Sequence, residues 1–175
     1  MREILFRGKR KDNGEWETGS LLVERMNTSD QRVMIADKMT GYPTLALPET
    51  IGQYTGMTDK NGRKIFEGDI VRLFDISVGE IVQECGAFGI GFREPIDYDY
   101  LASEIVSITG CNNTPEFCYN DYYVSLYELY WNYNEENDNI SVIEVIGNIH
   151  DNPELLEVTK SCTTGITKFL AEEAL

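Results

Sequence analysis

The residues able to do chemistry are few, and the histidine content limits them most, because the chain has a single histidine. A Ser-His-Asp or Cys-His catalytic centre would have to use His150. That residue lies in a Gly-Asn-Ile-His-Asp-Asn-Pro segment, which is typical of a strand leading into a turn, so a surface histidine is the simpler interpretation. Asp97 and Asp99 form an Asp-x-Asp pair, which could serve a carboxylate-dependent hydrolase. This pair is the only basis for that hypothesis, which ranks below the two binding functions considered below.

Metal and phosphate motifs are equally sparse. The four cysteines, Cys85, Cys111, Cys118 and Cys162, form no Cys-x-x-Cys pair of the kind a zinc site uses. Cys111 and Cys118 are close enough in sequence to meet across a loop, but in a reducing cytosol we expect two free thiols. Asp59-x-Asn61-Gly62 resembles part of a calcium loop but lacks the further oxygen ligands and closing Glu, so a turn is favoured. Residues 86–92 are glycine-rich without the Gly-Lys-Ser/Thr ending of a phosphate loop. The sequence predicts no catalytic, cofactor-binding or metal-binding residue, and no cofactor.

A hairpin is the clearest structural prediction. Residues 51–54 and 65–66 are prone to form strands, and Asn61-Gly62 between them tolerates the positive φ of a tight turn. Gly68-Asp69 then makes a second corner into an apolar strand over residues 70–74. A Glu-Gly-Asp-Ile-Val corner of this type is common in small SH3-like barrels.

Three segments resemble the YopX family, a group of small proteins from phages and prophages of bacteria. The block over residues 48–73 resembles the hallmark of the family, residues 2–16 its first strand and turn, and residues 144–156 its closing motif. The matches occur in order and span most of residues 1–157. The resemblance implies a β-rich fold and a phage or prophage origin. It implies no reaction and no catalytic residues.

The remaining pattern is mostly strand. We expect an opening meander with turns at Asn13-Gly14 and Gly19-Ser20, and a connection between Pro43 and Pro48. Further strands are predicted over residues 4–7, 15–18, 21–24, 33–36, 79–84, 87–92 and 141–146. Glycines in the strand over residues 87–92 suggest strong bending. The fold class predicted is mainly β, YopX-like, with a small SH3-like β-barrel element and a few short helices.

The second half of the chain is harder to interpret. Residues 98–108 and 122–133 are compatible with helix or strand, since helical spacing and aromatic content favour different elements. Residues 152–156 predict a short helical turn with Asn152 as N-cap and Pro153 first. In the tail, Ile166, Phe169 and Leu170 share one helical face, which would dock on this chain or on a neighbouring subunit.

The charged residues are distributed unevenly along the sequence. The formal net charge is −15, of which residues 1–93 contribute −1, from 13 Lys/Arg and 14 Asp/Glu. Residues 94–175 contribute −14, from two Lys/Arg and 16 Asp/Glu. This balance argues against nonspecific nucleic-acid binding, although the basic residues Arg7, Lys9, Arg10 and Lys11 would allow a local patch.

The acidic half is also rich in aromatic residues. Eight tyrosines and a tryptophan lie there: Tyr98, Tyr100, Tyr119, Tyr122, Tyr123, Tyr127, Tyr130, Tyr133 and Trp131. They form either an aromatic core under a solvated acidic face or a partner-binding surface. The leading hypothesis is a non-enzymatic phage accessory protein that binds another macromolecule and self-associates. The alternative is an acidic mimic of nucleic acid that inhibits a host DNA-binding protein.

Length and composition set the remaining expectations. A chain of 175 residues with 42% hydrophobic content is sufficient for a stable core. We expect one YopX-like domain over residues 1–157, with possible subdomains at about 1–50 and 51–157, and a C-terminal tail over 158–175. The absence of a long apolar run or signal core predicts a cytoplasmic protein of a bacterial host, without membrane contact. Its expected partners are further copies of itself and a host or phage protein.

Overall fold

A computed structural model describes residues 3–25, 31–84, 86–93, 118–120, 123–133 and 139–157. Within these ranges the protein is mainly β, with thirteen strands, one α-helix and two short 3-10 helices. The predicted fold class is therefore confirmed at this level. No closed barrel is found among the described residues, so the SH3-like element is not established.

The chain divides into two compact units. Unit 1 comprises Met1–Met57 and Lys64–Glu67, and unit 2 comprises Thr58–Arg63 and Gly68–Leu175. The predicted hairpin of the family hallmark thus contributes residues to both units. The domain limits expected from the sequence stay predictions.

Unit 1 is built on an antiparallel sheet in the order β5-β1-β2-β3-β4, with β6 paired to β5. Its elements are β1 (Phe6–Lys9), β2 (Trp16–Arg25), β3 (Gln31–Asp37), β4 (Pro43–Leu45), a 3-10 helix (Pro48–Thr50), β5 (Gly52–Asp59) and β6 (Lys64–Phe66). Only the first six residues of β5 belong to unit 1. One apolar cluster joins Leu5, Tyr54 and Phe66, with the two rings 5.4 Å apart. Ile35 and Ile65 are fully buried.

The predicted turn at Gly19-Ser20 is wrong, whereas the turn at Asn13-Gly14 is confirmed, with Gly14 at φ 74°. β2 instead runs without interruption from residue 16 to residue 25. Gly19 lies opposite Asp37 of β3, and a Cβ there would come within 1.9 Å of the carbonyl oxygen of Ala36. Gly19 is therefore needed because two strands approach closely at this point. Sequence reasoning interpreted the same glycine as a turn residue.

Unit 2 contains a second antiparallel sheet in the order β10-β11-β9-β8-β7-β13. Its elements are β7 (Asp69–Leu73), β8 (Ser77–Glu84), β9 (Ala87–Gly91), β10 (Cys118–Asn120), β11 (Tyr123–Ser125), α1 (Leu126–Tyr133), β12 (Asn139–Ile140), β13 (Ile143–Asn148) and a 3-10 helix (Pro153–Leu156). β12 runs parallel to the last two residues of β5, Thr58 and Asp59. The fully buried side chains include Ile70, Leu73, Ile81, Ile90, Leu126, Leu129, Ile140 and Ile143.

The segment over residues 122–133 contains both predicted alternatives. Tyr123–Ser125 pairs with β9, and the chain then turns directly into the helix Leu126–Tyr133. The β-prone Tyr-Tyr-Val run supports only a short strand, and the leucines that follow, Leu126 and Leu129, are buried on one face of the helix. Residues 98–108 and the tail residues Ile166, Phe169 and Leu170 lie outside the described residues.

The glycines of β9 have a packing role. A Cβ on Gly89 would lie 2.2 Å from the ring of Tyr123, which pairs with the same strand through β11. The glycine therefore makes room for a buried aromatic ring, an explanation that sequence reasoning, which predicted strong bending, did not reach. The hydroxyl of Tyr123 donates to the carbonyl of Ala87 at 3.5 Å.

The closing motif forms a strand and a turn, as predicted, but shifted by two residues. β13 covers Ile143–Asn148 and pairs with β7, where the sequence predicted residues 141–146. The helical turn at Pro153–Leu156 is a 3-10 helix with Pro153 first, and Asn152 makes no side-chain capping hydrogen bond. In the turn that precedes this helix, Oδ1 of Asn148 accepts from the amides of His150 and Asp151 at 3.0 Å.

Candidate interaction surface

Asp59, the first residue of the candidate calcium loop, is fully buried and serves the backbone. Its Oδ1 accepts from the amides of Asn61 and Arg63 at 2.9 and 2.8 Å. Its Oδ2 accepts from the amide of Val145 in β13 at 2.9 Å. The turn interpretation is confirmed, and the structure adds what spacing did not reveal. This carboxylate joins the hallmark hairpin to the closing motif of the same unit.

Of the other candidate catalytic and metal-binding residues, the structure describes His150 and Cys118. His150 lies in the turn after β13, half-buried, where sequence reasoning placed it. Cys118 lies in β10, whereas the remaining three cysteines and the pair Asp97 and Asp99 fall outside the described residues. In the part of the chain that the structure describes, no group of three His, Cys, Asp or Glu side chains could hold a metal ion.

The four basic residues of the possible local patch, Arg7, Lys9, Arg10 and Lys11, differ in their surroundings. Arg7 is only 8% exposed, and its guanidinium lies 4.8 Å from the Trp16 ring centroid and 5.0 Å from that of Phe66. It also donates from Nη2 to the carbonyl of Glu67 at 3.1 Å. Arg7 is thus a cation stacked between aromatic rings inside unit 1, a role in packing.

Arg10 is similarly occupied, because it forms a bidentate pair with Asp12, with contacts of 3.0 and 2.7 Å. This pair raises the pKa of Arg10 and lowers the pKa of Asp12. A second carboxylate, Glu17, lies 3.9 Å from the guanidinium. Lys9 lies 5.5 Å from the centroid of the Trp16 ring, and Lys11 is exposed. The cations available to a phosphate backbone are therefore fewer than the sequence suggested.

Some aromatic residues of the acidic half face inward. Tyr123 is buried against β9, and the ring of Tyr133 packs edge-on against Phe74 at 5.2 Å and 84°. Ser141 reinforces this corner, since its amide and its hydroxyl both donate to the carbonyl of Tyr133. These residues fit the aromatic-core interpretation.

Two others face outward and form what we call the α1 aromatic pair, Tyr127 and Trp131. The side chains are 60% and 66% exposed, although each is large enough to prefer burial. They are four residues apart on the helix, so they share a face, and their rings meet edge-on with centroids 6.0 Å apart. The opposite face of the helix carries Leu126 and Leu129, which are fully buried. The helix is therefore fixed by its leucines and presents two aromatic rings to solvent.

The unit that contains this pair is acidic overall. Unit 2 contains 21 Asp/Glu against six Lys/Arg, a formal net charge of −15. Two of its described carboxylates are paired with a cation: Lys60 contacts Asp75 at 2.9 Å and Glu144 at 3.2 Å, which raises the pKa of Lys60. Arg72 also contacts Glu144, at 3.3 Å. Most of the remaining acids fall outside the described residues.

Sequence reasoning missed the surface of unit 1. A carboxylate near the start of the chain, Glu3, accepts hydrogen bonds from Lys38 and Lys64, which lowers the pKa of Glu3 to about 2. Large apolar side chains are exposed along β2 and around β4: Leu22, Val23, Met39, Tyr42 and Leu45. Sequence reasoning predicted a strand over residues 21–24 and did not address which of its side chains are exposed.

The sequence model of the family described as YopX protein matches residues 5–157. No curated protein matches the chain. The chain is similar to the crystal structure of protein EF1440 from Enterococcus faecalis, at 23% identity and a TM-score of 0.42, over 89% of this chain and 99% of that one. No described helix has the length and apolarity to cross a membrane. Since the family match covers most of its length, this chain belongs to the YopX family.

Proposed function

We propose that the protein is a non-enzymatic phage or prophage accessory protein that binds another macromolecule and self-associates in the host cytoplasm. The observation that supports binding is the α1 aromatic pair, Tyr127 and Trp131. Two adjacent exposed rings on a helix held in place by buried leucines are pre-positioned, so docking costs little conformational entropy. Tyrosine and tryptophan are also the residues that contribute most to interface energy.

The acidic setting suggests the chemistry of the partner. Unit 2 carries a formal charge of −15, so a protein surface with basic residues around an apolar or aromatic-accepting pocket fits best. Charge attraction would speed encounter, and the two rings would supply the buried contact. Duplex DNA and anionic membranes are repelled by the same charge.

Affinity capture with a matched control tests this proposal. Full-length protein is immobilised and exposed to host lysate, with and without phage infection, beside Tyr127→Ala/Trp131→Ala and the control Tyr42→Ala. Tyr42 is 75% exposed but lies in unit 1. We expect a partner retained by wild type and control and lost, by about tenfold or more, from the double variant. Equal capture by all three proteins would contradict the assignment of the surface.

The alternative, an acidic mimic of nucleic acid, is favoured by the concentration of charge in unit 2. Mimicry requires carboxylates placed at roughly phosphate spacing along a surface. Among the described acids, Glu144 and Asp75 are paired with cations and Asp59 is buried, which does not favour it. Competition between the protein and DNA for the captured partner, with strong salt dependence, would favour this alternative. A hydrolase using Asp97 and Asp99 ranks last, as no described residue supports it.

We also propose that unit 1 contains a small β-barrel element, whereas the Gly68-Asp69 corner that suggested an SH3-like barrel from the sequence lies in unit 2. The end of β4 returns to the end of β1 through a bridge between Arg10 and Ala46. Two backbone hydrogen bonds accompany it, from Lys11 to Leu45 and from Leu47 to Lys9, each 2.8 Å. This bridge joins the first and last strands of a β1-β2-β3-β4 meander, the step that closes a barrel. An experimental structure with a continuous ladder at this point would establish it.

A further inference from the structure

The longest strand of unit 1 extends beyond its neighbour. β2 has ten residues, but β1 pairs only with Trp16 through Gly19. From Ser20 to Arg25, β2 is hydrogen-bonded to β3 on one side, and no described residue pairs with it on the other. A strand edge of this kind exposes a row of backbone donors and acceptors that another strand can pair with.

The side chains along this edge favour a partner strand. Leu22 and Val23 are 42% and 52% exposed, and adjacent strand residues point to opposite faces, so both faces of the ribbon are partly apolar. β3 pairs with β4 only as far as Met34, which lies opposite Leu22, so from Val23 onward β2 and β3 form a two-stranded ribbon, which is marginally stable alone in water. Glu24 and Arg25, the residues at the tip, are exposed and charged, which limits pairing to the apolar part.

Charge distinguishes the two units as places for contact between copies. Unit 1 contains nine Lys/Arg and nine Asp/Glu, a formal net charge of zero, whereas unit 2 has −15. Bringing two copies together through unit 2 places like charges against each other. Contact through unit 1 avoids that repulsion and keeps the acidic units available for another partner.

We propose that the β2 edge pairs antiparallel with the β2 edge of a second copy, about a two-fold axis at Leu22. An axis perpendicular to the sheet keeps each side chain on its own face, so only residues of the same parity can be opposite. Centring on Leu22 places Leu22 opposite itself, Leu21 opposite Val23 and Ser20 opposite Glu24. Centring on Val23 would place Leu22 opposite Glu24, a poorer cross-strand pair.

This inference rests on the self-association in the proposed function and specifies its surface. Light scattering and sedimentation on the full chain test it with Leu22→Glu, Leu22→Lys and the control Met39→Glu, which is 95% exposed in the same unit. We expect wild type and control to associate, and each Leu22 variant to associate at least ~10-fold more weakly, because like charges face each other at the axis.

Mixing the two Leu22 variants provides the specific readout. Because Leu22 is opposite itself, Glu and Lys at that position become an ion pair in a heterodimer, and an equimolar mixture should associate again. Recovery also shows that both variants are folded. Association of each variant at wild-type strength, or no recovery on mixing, would overturn the proposed edge, and the tail or a host strand would become the partner. A monomeric wild type would refute self-association itself and, with it, this interface, without bearing on the α1 aromatic pair.

Discussion

In each unit one carboxylate links segments that are distant in sequence, and the two carboxylates differ in burial. In unit 2, Asp59 is fully enclosed and holds three backbone amides, including that of Val145 in another strand. In unit 1, Glu3 connects Lys38 and Lys64 at the surface. An exposed ion pair is weakened by water and salt, whereas a buried acceptor leaves its donors unsatisfied when it is removed. Asp59 and Glu3 should therefore contribute very differently to the stability of the folded protein.

The units also differ in what they present. Unit 1 is electrically neutral, with exposed apolar residues along β2 and around β4. Unit 2 holds the whole formal charge and the α1 aromatic pair, and in it the hallmark hairpin meets the closing motif. The two motif segments of unit 2 are thus joined by a structural contact, the hydrogen bond from the amide of Val145 to Asp59.

The largest effect is expected from Asp59→Ala. Three amides of unit 2 would lose a fully buried acceptor, and the amide of Val145 is itself buried, so the free energy of unfolding should fall by about 3 kcal/mol. Urea denaturation followed by circular dichroism measures this. Asp12→Ala is the control, because the side chain of Asp12 is 64% exposed and forms a surface ion pair with Arg10. A loss below about 1 kcal/mol would remove the contrast between buried and exposed carboxylates.

A smaller effect is expected from Gly89→Ala in β9. Its new methyl group would overlap the ring of Tyr123 and cost about 2 kcal/mol of stability. Gly91→Ala in the same strand is the matched control, since the nearest side-chain atom, in Val82, is 3.3 Å from its added carbon. Thermal melting of the two variants should rank them in that order. The reverse order would show that the glycines serve strand bending instead.

Glu3→Gln should give the smallest effect, and one that depends on pH. The pKa of Glu3 is lowered to about 2 in the folded protein, from 4.5, so its contribution is complete above pH 4.5 and is lost as the pH falls toward 2. Wild type should melt slightly above the variant at neutral pH, and the two should converge near pH 2. A constant difference at every pH would mean that the ion pairs with Lys38 and Lys64 do not form in solution.

The predictable part of the fold was set by local chemistry. Asn61-Gly62 and Gly68 mark turns because both glycines take φ near 76°, and the adjacent strands follow from β-prone residues. The turn between β7 and β8 could not be predicted from the sequence, because the residues that adopt positive φ there, Phe74 and Asp75, are not glycines. There the buried ring of Phe74, packed against Tyr133, is part of a tertiary contact that local sequence does not encode.

The candidate surface was predictable only in part. Aromatic residues amid acids indicated a region, yet which rings face solvent depends on helix register. Tyr127 and Trp131 point outward because Leu126 and Leu129 occupy the buried face. The role of Asp59 was out of reach, because its third hydrogen bond goes to an amide 86 residues away. The open edge of β2 depends on where β1 stops, which is a property of pairing.

The central claim is that the two units bind different things, and one capture experiment tests it most directly. Wild type, Leu22→Glu and Tyr127→Ala/Trp131→Ala are immobilised at equal protomer density, and the partner retained from phage-infected lysate is quantified for each. We predict that Leu22→Glu retains as much partner as wild type, and that the aromatic double variant retains at least ~10-fold less. Loss of the partner from Leu22→Glu together with full retention by the aromatic double variant would contradict the account.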